Sequence, residues 1–402
     1  MNLLYGWKIT LKMSLFNIKI DFKKSRGSFI FDKNTKKKYL DFLGMYSSLP
    51  LGYNHKIFNS CKFKKEIKES SSVKLVNCEI DSDEYQDFFK EFKRFTSCNL
   101  YKNYFFTCTG SLANEAAIKT AMWHKGTKKD GYVLSIKNSF HGINSFGNII
   151  TTRFHQIKNR QGNVFGEDQW RQADNLEEAI DIVSSKHRNL QGVIIEPIQS
   201  TYGDKYLNKL KLKKLRKVCD EFDIPLIFDE VQTGFGASGT KWLFEKIGIE
   251  PDIVVFGKKS QVSGIMVKEK FSKVFEIPKR LSVTFDGDLI DMIRCKYIIQ
   301  AIEKYNLLQN AEDMGKKIVD ELKKIKGLKN VRGTGLLIAF DLESTKERDL
   351  FYKNARSLGL LCNPTTLRTI RIRPNLAVTE KEVNVFLEIV KKNLNFIKKS
   401  SL

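Results

Sequence analysis

IFDEVQTGFG (residues 227–236) and DIVVFGKK (residues 252–259) decide how this chain folds. Next to or within each lies a short apolar run, Leu226 to Phe228 for one and Ile253 to Phe256 for the other. Such runs are too short for a helix and too uniformly apolar for a half-exposed strand, so both read as interior strands of a parallel sheet. A charged group follows each run: Asp229 after the first and Lys258 after the second. Ligands of open α/β sheets bind outside the carboxyl ends of the strands, which puts an acid and an amine at one sheet edge. Lys259 is the immediate rival for the amine. Gly257 permits a sharp exit from the strand that would turn Lys258 toward the edge and leave Lys259 facing away.

Three zones extend outward from these strands. RGSFIFDKNTKKKYLDF (residues 26–42) alternates apolar residues about an Asp-Lys-Asn-Thr turn and predicts a β-hairpin. From about Tyr46 to Pro278, further strand candidates at 100–108, 132–136, 192–195 and 225–228 alternate with helical segments, the pattern of a doubly wound α/β unit. One of those segments sets Leu207, Leu210, Leu215, Val218, Cys219 and Phe222 largely on one helical face, as a crossover helix against the sheet. After Leu289, a long helical stretch (290–324), short strands near Val331, 336–341 and 369–373, and a terminal helix from Thr379 read as an α+β unit. The expected division is a hairpin segment (1–45) belonging to a smaller domain, a large α/β domain (46–285), and a linking helix with the rest of the smaller domain (286–402). The large domain would be a mostly parallel sheet with helices on both faces, and the smaller one would draw on both chain ends.

Composition narrows the function. At 402 residues the chain can bury a large core, and its net charge of +23 raises the question of nucleic acid. Its lysine-rich runs (36–38, 211–217, 323–326) carry no interleaved stacking aromatics, so they read as solvated faces and no nucleic-acid partner is expected. No apolar run approaches the roughly 20 residues that cross a bilayer, so no membrane partner is expected either. The opening residues offer no export signal, whether the natural start is Met1 or Met13. Seven scattered cysteines without C-x-x-C spacing suggest neither a disulfide framework nor a metal site, and a cytoplasmic location fits them.

FFTCTGSLANEAAIKTA (residues 105–121) passes from an apolar strand through Thr109, Gly110 and Ser111 into an alanine-rich helix expected from about Leu112. Gly110 lets the backbone approach a ligand closely, Ser111 can cap and donate, and free N–H groups with the helix dipole favour an anion such as a phosphate. Alone, this is an ordinary capped helix. Joined to an aspartate and a lysine at the same sheet edge, it completes what pyridoxal 5'-phosphate requires. Asp229 would keep the cofactor's ring nitrogen protonated, because a neighbouring carboxylate raises the pKa of a basic group. Lys258 would hold the aldehyde and later move a proton from the substrate carbon. The plain alternatives are a helix N-cap for Asp229 and a surface position for Lys258.

With Ser238 and Gly239 between them, IFDEVQTGFG and GIEPDIVVFGK resemble the signature of the class III pyridoxal-phosphate-dependent aminotransferases, a fold type I group. Here the aspartate and lysine stand 29 residues apart, as that signature requires. The resemblance covers nearly the whole chain: the hairpin, TGSLANEAAIK, NSFHG (138–142) and IIEPIQ (194–199) all have counterparts. GKKSQVSGIM (257–266) and SSLPLGYNH (47–55) are similar to the lysine 6-transaminase branch of the family.

Carried over residue by residue, the resemblance implies Lys258 as the Schiff-base lysine and Asp229 as the pyridinium partner. Gly110 and Ser111 become phosphate ligands, Phe140 stacks on the ring with His141 beside it, and Gln232 reaches the phenolic oxygen. Thr284 would reach the phosphate of a neighbouring subunit, which implies a symmetric homodimer. Arg373 would grip the α-carboxylate of glutamate or 2-oxoglutarate, a bidentate task that suits guanidinium. Gln199, Thr201 and Ile143 would line the substrate side. Three departures accompany these matches. Ile143 replaces an arginine that holds the substrate carboxylate. Ser200 and Thr201 stand where a glutamate screens the glutamate-binding arginine, leaving Arg373 without an evident partner. Asp286, Gly287 and Asp288 replace Gly-Gly-Asn. The expected reaction is transfer of the terminal amino group of L-lysine to 2-oxoglutarate, giving 2-aminoadipate 6-semialdehyde and glutamate. The alternatives are a donor without an α-carboxylate and a cofactor-binding protein without turnover.

Overall fold

A computed structural model describes residues 16–96, 99–126, 130–151 and 170–400; the opening residues and Cys98 lie outside them. In chain order come the hairpin β1 (Phe29–Phe31) and β2 (Lys38–Asp41), helix α1 (Asp83–Thr96), and β3 (Tyr101–Thr107) leading into α2 (Gly110–Lys125). Then follow β4 (Tyr132–Ile136), β5 (Trp170–Ala173), β6 (Leu190–Ile195), α3 (Lys209–Glu221), β7 (Leu226–Asp229), β8 (Ile253–Phe256) and β9 (Ser263–Lys268). The later elements include α4 (Leu289–Lys304), α5 (Leu307–Lys323), β10 (Lys329–Thr334), β11 (Leu337–Asp341), a helix at Thr345–Ser357, β12 (Leu360–Leu361), β13 (Asn363–Thr365), β14 (Thr369–Ile372) and α6 (Glu380–Ser400).

The expected α/β sheet forms with seven strands in the order β3-β9-β8-β7-β6-β4-β5. Only β9 runs antiparallel to its neighbours. Alternation along the central strands divides the interior in two. Leu226, Phe228, Val254 and Phe256 join one apolar cluster, whereas Ile227, Ile253 and Val255 join another on the opposite face. Both faces are therefore covered, which is why these strands read as unbroken apolar runs. In α3 the sheet side is Leu212, Leu215 and Cys219; Leu210, counted on that face from spacing, is 71% exposed. Asn208 caps the helix, accepting from the amides of Leu210 and Lys211, and that sets the first turn so that Leu210 points outward.

The long helical stretch after residue 289 is two helices, separated where Asn306 takes a left-handed φ of 49°. A four-stranded antiparallel sheet follows in the order β10-β11-β14-β13, and from β14 Arg371 reaches the Ser200 carbonyl. The N-terminal hairpin pairs with late residues: β12 runs parallel to β2, with Leu360 opposite Leu40.

After the hairpin, four consecutive residues adopt left-handed backbone, Gly44 (φ 57°), Met45 (49°), Tyr46 (57°) and Ser47 (77°). For residues other than glycine this costs roughly 1–2 kcal/mol each, so the surroundings must hold the turn. At Gly44 a Cβ would overlap the Arg373 carbonyl oxygen, so a side chain fits neither the space nor the backbone.

Candidate active site

Strands β7 and β8 are adjacent and parallel, with Asp229 in register with Val255, so the strand ends bring Asp229 and Lys258 to one place. Both line a cavity of about 170 Å³ with Thr109, Gly110, Ser111, Asn114, Phe140 and Thr201. Thr201 also lines a wider outer cleft of about 610 Å³, which gives the cavity an approach. Gly257 is extended (φ 172°), so the bend belongs instead to Lys258, whose φ is 54°. Glycine is needed at 257 for space, since a Cβ there would lie 2.7 Å from Ser263 Oγ. Burial pushes the Lys258 amine down to about 7, helped by Arg371 and opposed by Asp229 and Glu196.

Asp229 is held from three sides. Its Oδ2 meets His141 Nδ1 at 2.9 Å and accepts from Asn114 Nδ2 at 2.9 Å, while Oδ1 accepts from the Val231 amide at 3.1 Å. No helix follows Asp229, so the helix-cap alternative fails: one oxygen accepts within the turn at 230–238, and two side chains orient the other. His141 Nε2 and Asn114 Oδ1 are buried without a partner, an unusual state for interior polar atoms and one that marks functional sites. Glu196, unassigned from sequence, accepts from the amides of Phe140 at 2.7 Å and Ser200 at 3.3 Å. Burial first, and then the Asp229 charge, hold its carboxyl above the usual carboxylate range. It thereby fixes the backbone of the aromatic expected to face the ring.

Opposite these groups, α2 begins at Gly110, two residues earlier than expected from sequence, with Thr109 as its cap. The Thr109 hydroxyl and carbonyl accept from the amides of Leu112 and Ala113, and the amides of Gly110 and Ser111 come first in the helix, where no intrahelical acceptor exists. Gly142, at φ 104°, closes the cradle: a Cβ there would lie 2.5 Å from Ser111 Oγ. An anion seat at a helix start, a buried carboxylate with oriented donors and a lysine of lowered pKa fit pyridoxal phosphate.

On the substrate side the sequence and the structure diverge in detail. Arg373 is buried and paired with Asp204, which is also fully buried; its other donors reach the Ile372 carbonyl at 2.9 Å, the Ile338 carbonyl at 3.4 Å and Gln232 Oε1 at 3.5 Å. A partner thus exists, three residues beyond Thr201, and it comes from the short hairpin after IIEPIQ. Arg371, two residues back and on the same strand face, bonds the Ser200 carbonyl and Asn363 Oδ1. Its charge acts on Lys258 more strongly than that of Arg373. The resemblance points to Arg373 alone and passes over Arg371, its i, i+2 neighbour in RIRP. Gln199 is buried and donates to the Lys137 carbonyl at 2.7 Å and to Ser139 Oγ at 3.2 Å, away from the cavity. Ile143 is 63% exposed and lies outside the cavity lining, as does exposed Thr284. Asp286 turns onto its own loop, accepting from the Val283 amide at 2.9 Å, so its charge is engaged within the loop that carries Thr284.

Among the described residues, six cysteines are free, no cluster of metal-ligating side chains occurs, and no helix is long and apolar enough to cross a membrane. The family model "Aminotransferase class-III" matches residues 12–394. L-lysine-epsilon aminotransferase of Mycobacterium tuberculosis H37Rv is 30% identical over 416 residues, covering 94% of this chain and 92% of its own. The enzyme of that name from Streptomyces clavuligerus is 29% identical over 424 residues, covering 96% and 92%. The solved lysine aminotransferase from M. tuberculosis in the internal aldimine form superposes with a TM-score of 0.90 at 28% identity, over 97% of both chains. Ornithine aminotransferase from Toxoplasma gondii shares the fold, with a TM-score of 0.85 at 21% identity over 98% of this chain and 94% of that one. A lysine and an aspartate meeting a helix start at one sheet edge, in a chain matched over almost its full length, make this protein a member of the class III aminotransferases, transaminases that work with pyridoxal phosphate.

Proposed function

We propose that this enzyme moves the terminal amino group of L-lysine, or of a similar amine, onto 2-oxoglutarate, giving 2-aminoadipate 6-semialdehyde and glutamate. The observation that carries the reading is Lys258, an amine with a pKa of about 7 on the cavity wall, facing Asp229 with Arg371 nearby. Bound pyridoxal phosphate supplies an electrophilic carbon and an electron sink. At neutral pH a large share of Lys258 is a neutral amine, competent as a nucleophile and, once displaced, as the base that takes a proton from the substrate carbon. Asp229, anchored by His141 and Asn114, would be the partner of the cofactor's basic ring nitrogen. Gly110 and Ser111 offer their amides to the phosphate, and Gln232 remains the candidate for the phenolic oxygen.

Arg371 is the better placed of the two arginines to meet a substrate carboxylate, with Arg373 behind it as support. Arg371→Met is expected to raise the KM for 2-oxoglutarate by roughly 10- to 100-fold, the worth of a charge-assisted pair. Arg373→Met instead leaves Asp204 buried and unpaired, and should destabilise the fold by about 3–5 kcal/mol. Steady-state kinetics and denaturant unfolding on both variants separate these roles. Equal KM effects with unchanged stability would return the carboxylate contact to Arg373.

A second reading rests on Ile143: without an arginine there, a donor lacking an α-carboxylate is favoured. The test is to add L-lysine or 1,5-diaminopentane to the holoenzyme with no acceptor and follow the cofactor's visible absorption. Discharge of the band by L-lysine is expected. Discharge by the diamine alone would move the assignment to the second reading, and discharge by neither would remove both donors.

Exposed Val283 and Phe285 flank Thr284 beside an apolar groove formed with Phe105, Met122 and Trp123. We assign that face to a second copy of the chain, with Thr284 reaching the neighbour's phosphate. The division into a large α/β domain and a smaller unit built from both chain ends is supported by the β2–β12 pairing. The free cysteines favour a reducing compartment, the cytoplasm.

A further inference from the structure

Lys259 stands next to the nucleophilic lysine, yet the proposed reaction gives it no work. It is 2% exposed, and its amine lies 3.4 Å from the carbonyl oxygen of Leu49 and 3.3 Å from that of Pro374. Leu49 closes the left-handed turn that starts at Gly44, and Pro374 directly follows the strand end carrying Arg371 and Arg373. One side chain therefore touches two segments more than 300 residues apart in sequence, from within the turn that presents Lys258.

Its neighbour Gln261 works in the same direction, donating to the Ser48 carbonyl at 2.6 Å and the Lys258 carbonyl at 3.1 Å. The two clamped segments also bond each other, Arg373 to Phe42 and Leu376 to Pro50 through their backbones. The charges facing Lys259 are Asp41, which attracts it, and Arg373 and Lys258, which repel it; burial and these repulsions bring the amine down to about 7. Asp41 is itself buried, accepting from the Tyr53 hydroxyl at 2.7 Å and the Gly44 amide at 2.8 Å. In either protonation state an amine keeps at least two N–H groups, one for each carbonyl. An apolar side chain would fill the space and leave both carbonyls buried without a donor.

We propose that Lys259 is the positioning residue of the substrate pocket, fastening the strained turn at residues 44–49 and the arginine strand to the turn that presents Lys258. The inference rests on the aminotransferase reading for its kinetic consequence but not for its structural one. Residues in left-handed backbone persist only where their surroundings over-determine them. Here the fastening comes from the same turn as the catalytic amine, so the turn at 44–49 and the arginine strand keep register with that amine.

The test uses the holoenzyme and two variants, Lys259→Met and Lys259→Gln. Amide hydrogen exchange read by mass spectrometry should accelerate about 10-fold or more in both 44–51 and 371–376 in the Met variant, and less in the Gln variant, which keeps a donor. The KM for 2-oxoglutarate should rise on the order of 10- to 100-fold, the cost of a misplaced carboxylate contact. The visible cofactor band should persist and kcat should change little. Unchanged exchange in the two segments together with an unchanged KM overturns the proposal. If the Met variant does not fold, the Gln variant and the wild type decide it: a single fastening requires the two wild-type segments to open at one common rate, and a turn that opens far faster than 371–376 overturns it. An enzyme that transaminates nothing would sink the functional reading, while the exchange data would still decide the clamp.

Discussion

Lys258→Ala is expected to reduce transamination by at least about 10⁴-fold, because one side chain supplies both the nucleophilic amine and the base that moves the proton, each worth roughly 10²–10⁴. The fold should survive. The amine is buried with its pKa lowered to about 7 from 10.5, so its charged form is a burden on the native state. Between about pH 7 and 10.5 the unfolded chain binds the proton that the folded chain does not, so this group makes stability rise with pH across that window. Thermal unfolding of the cofactor-free wild type at pH 7 and pH 9.5 should show that rise. The Ala variant should lose part of it, and Lys259, also at about 7, should supply the remainder. A Lys258→Ala enzyme that retained turnover within 100-fold would end the assignment of the nucleophile, and Lys259 would be the first alternative to examine.

Asp229→Asn should lower the rate of the donor half-reaction by about 10²- to 10⁴-fold and weaken cofactor retention. Two losses combine. The negative charge that would hold a proton on a ring nitrogen disappears. In addition, the carboxylate's two oxygens accept from His141, Asn114 and Val231, and an amide cannot replace both. Whichever way the asparagine is turned, its NH₂ group faces an N–H donor, Val231 on one side or Asn114 on the other, so one present contact is lost or its partner must reorient. Single-turnover absorption with L-lysine, alongside a cofactor titration, measures both consequences. A half-reaction within 10-fold of wild type would show that Asp229 acts only through its turn contact with Val231.

The meeting of Asp229 and Lys258 was legible because strand ends are local: an apolar run ending in Asp229 and another leading to Lys258 already imply one sheet edge. The helix start at Gly110 and Ser111 was legible for the same reason, apart from the close approach of Gly142, which depends on a contact with Ser111 across the fold. Strand β9 escaped notice because SGIMVK opens on a serine and a glycine and runs against its neighbours. Short, polar β5 (WRQA) offers little apolar signal. The substrate side was the least legible. Asp204 meets Arg373 across 169 residues of sequence, and nothing in YGD announces that pairing. The resemblance pointed to Arg373 and passed over Arg371; only the third dimension put Arg371 beside Ser200 and closer in effect to Lys258.

The parallel pairing of β12 with β2 has a bearing on how the enzyme comes into being. On a ribosome the hairpin at residues 29–41 emerges early, yet the strand that completes its sheet is made only after the whole seven-stranded sheet has been translated. Until then the hairpin's apolar side chains, Ile30 and Tyr39 among them, lack the Leu361 they pack against. The nascent chain thus carries an unfinished edge through most of its synthesis, the condition under which a hairpin is exposed to wrong partners. The strained turn after the hairpin, fastened with Pro374 by Lys259, is therefore among the last parts to set.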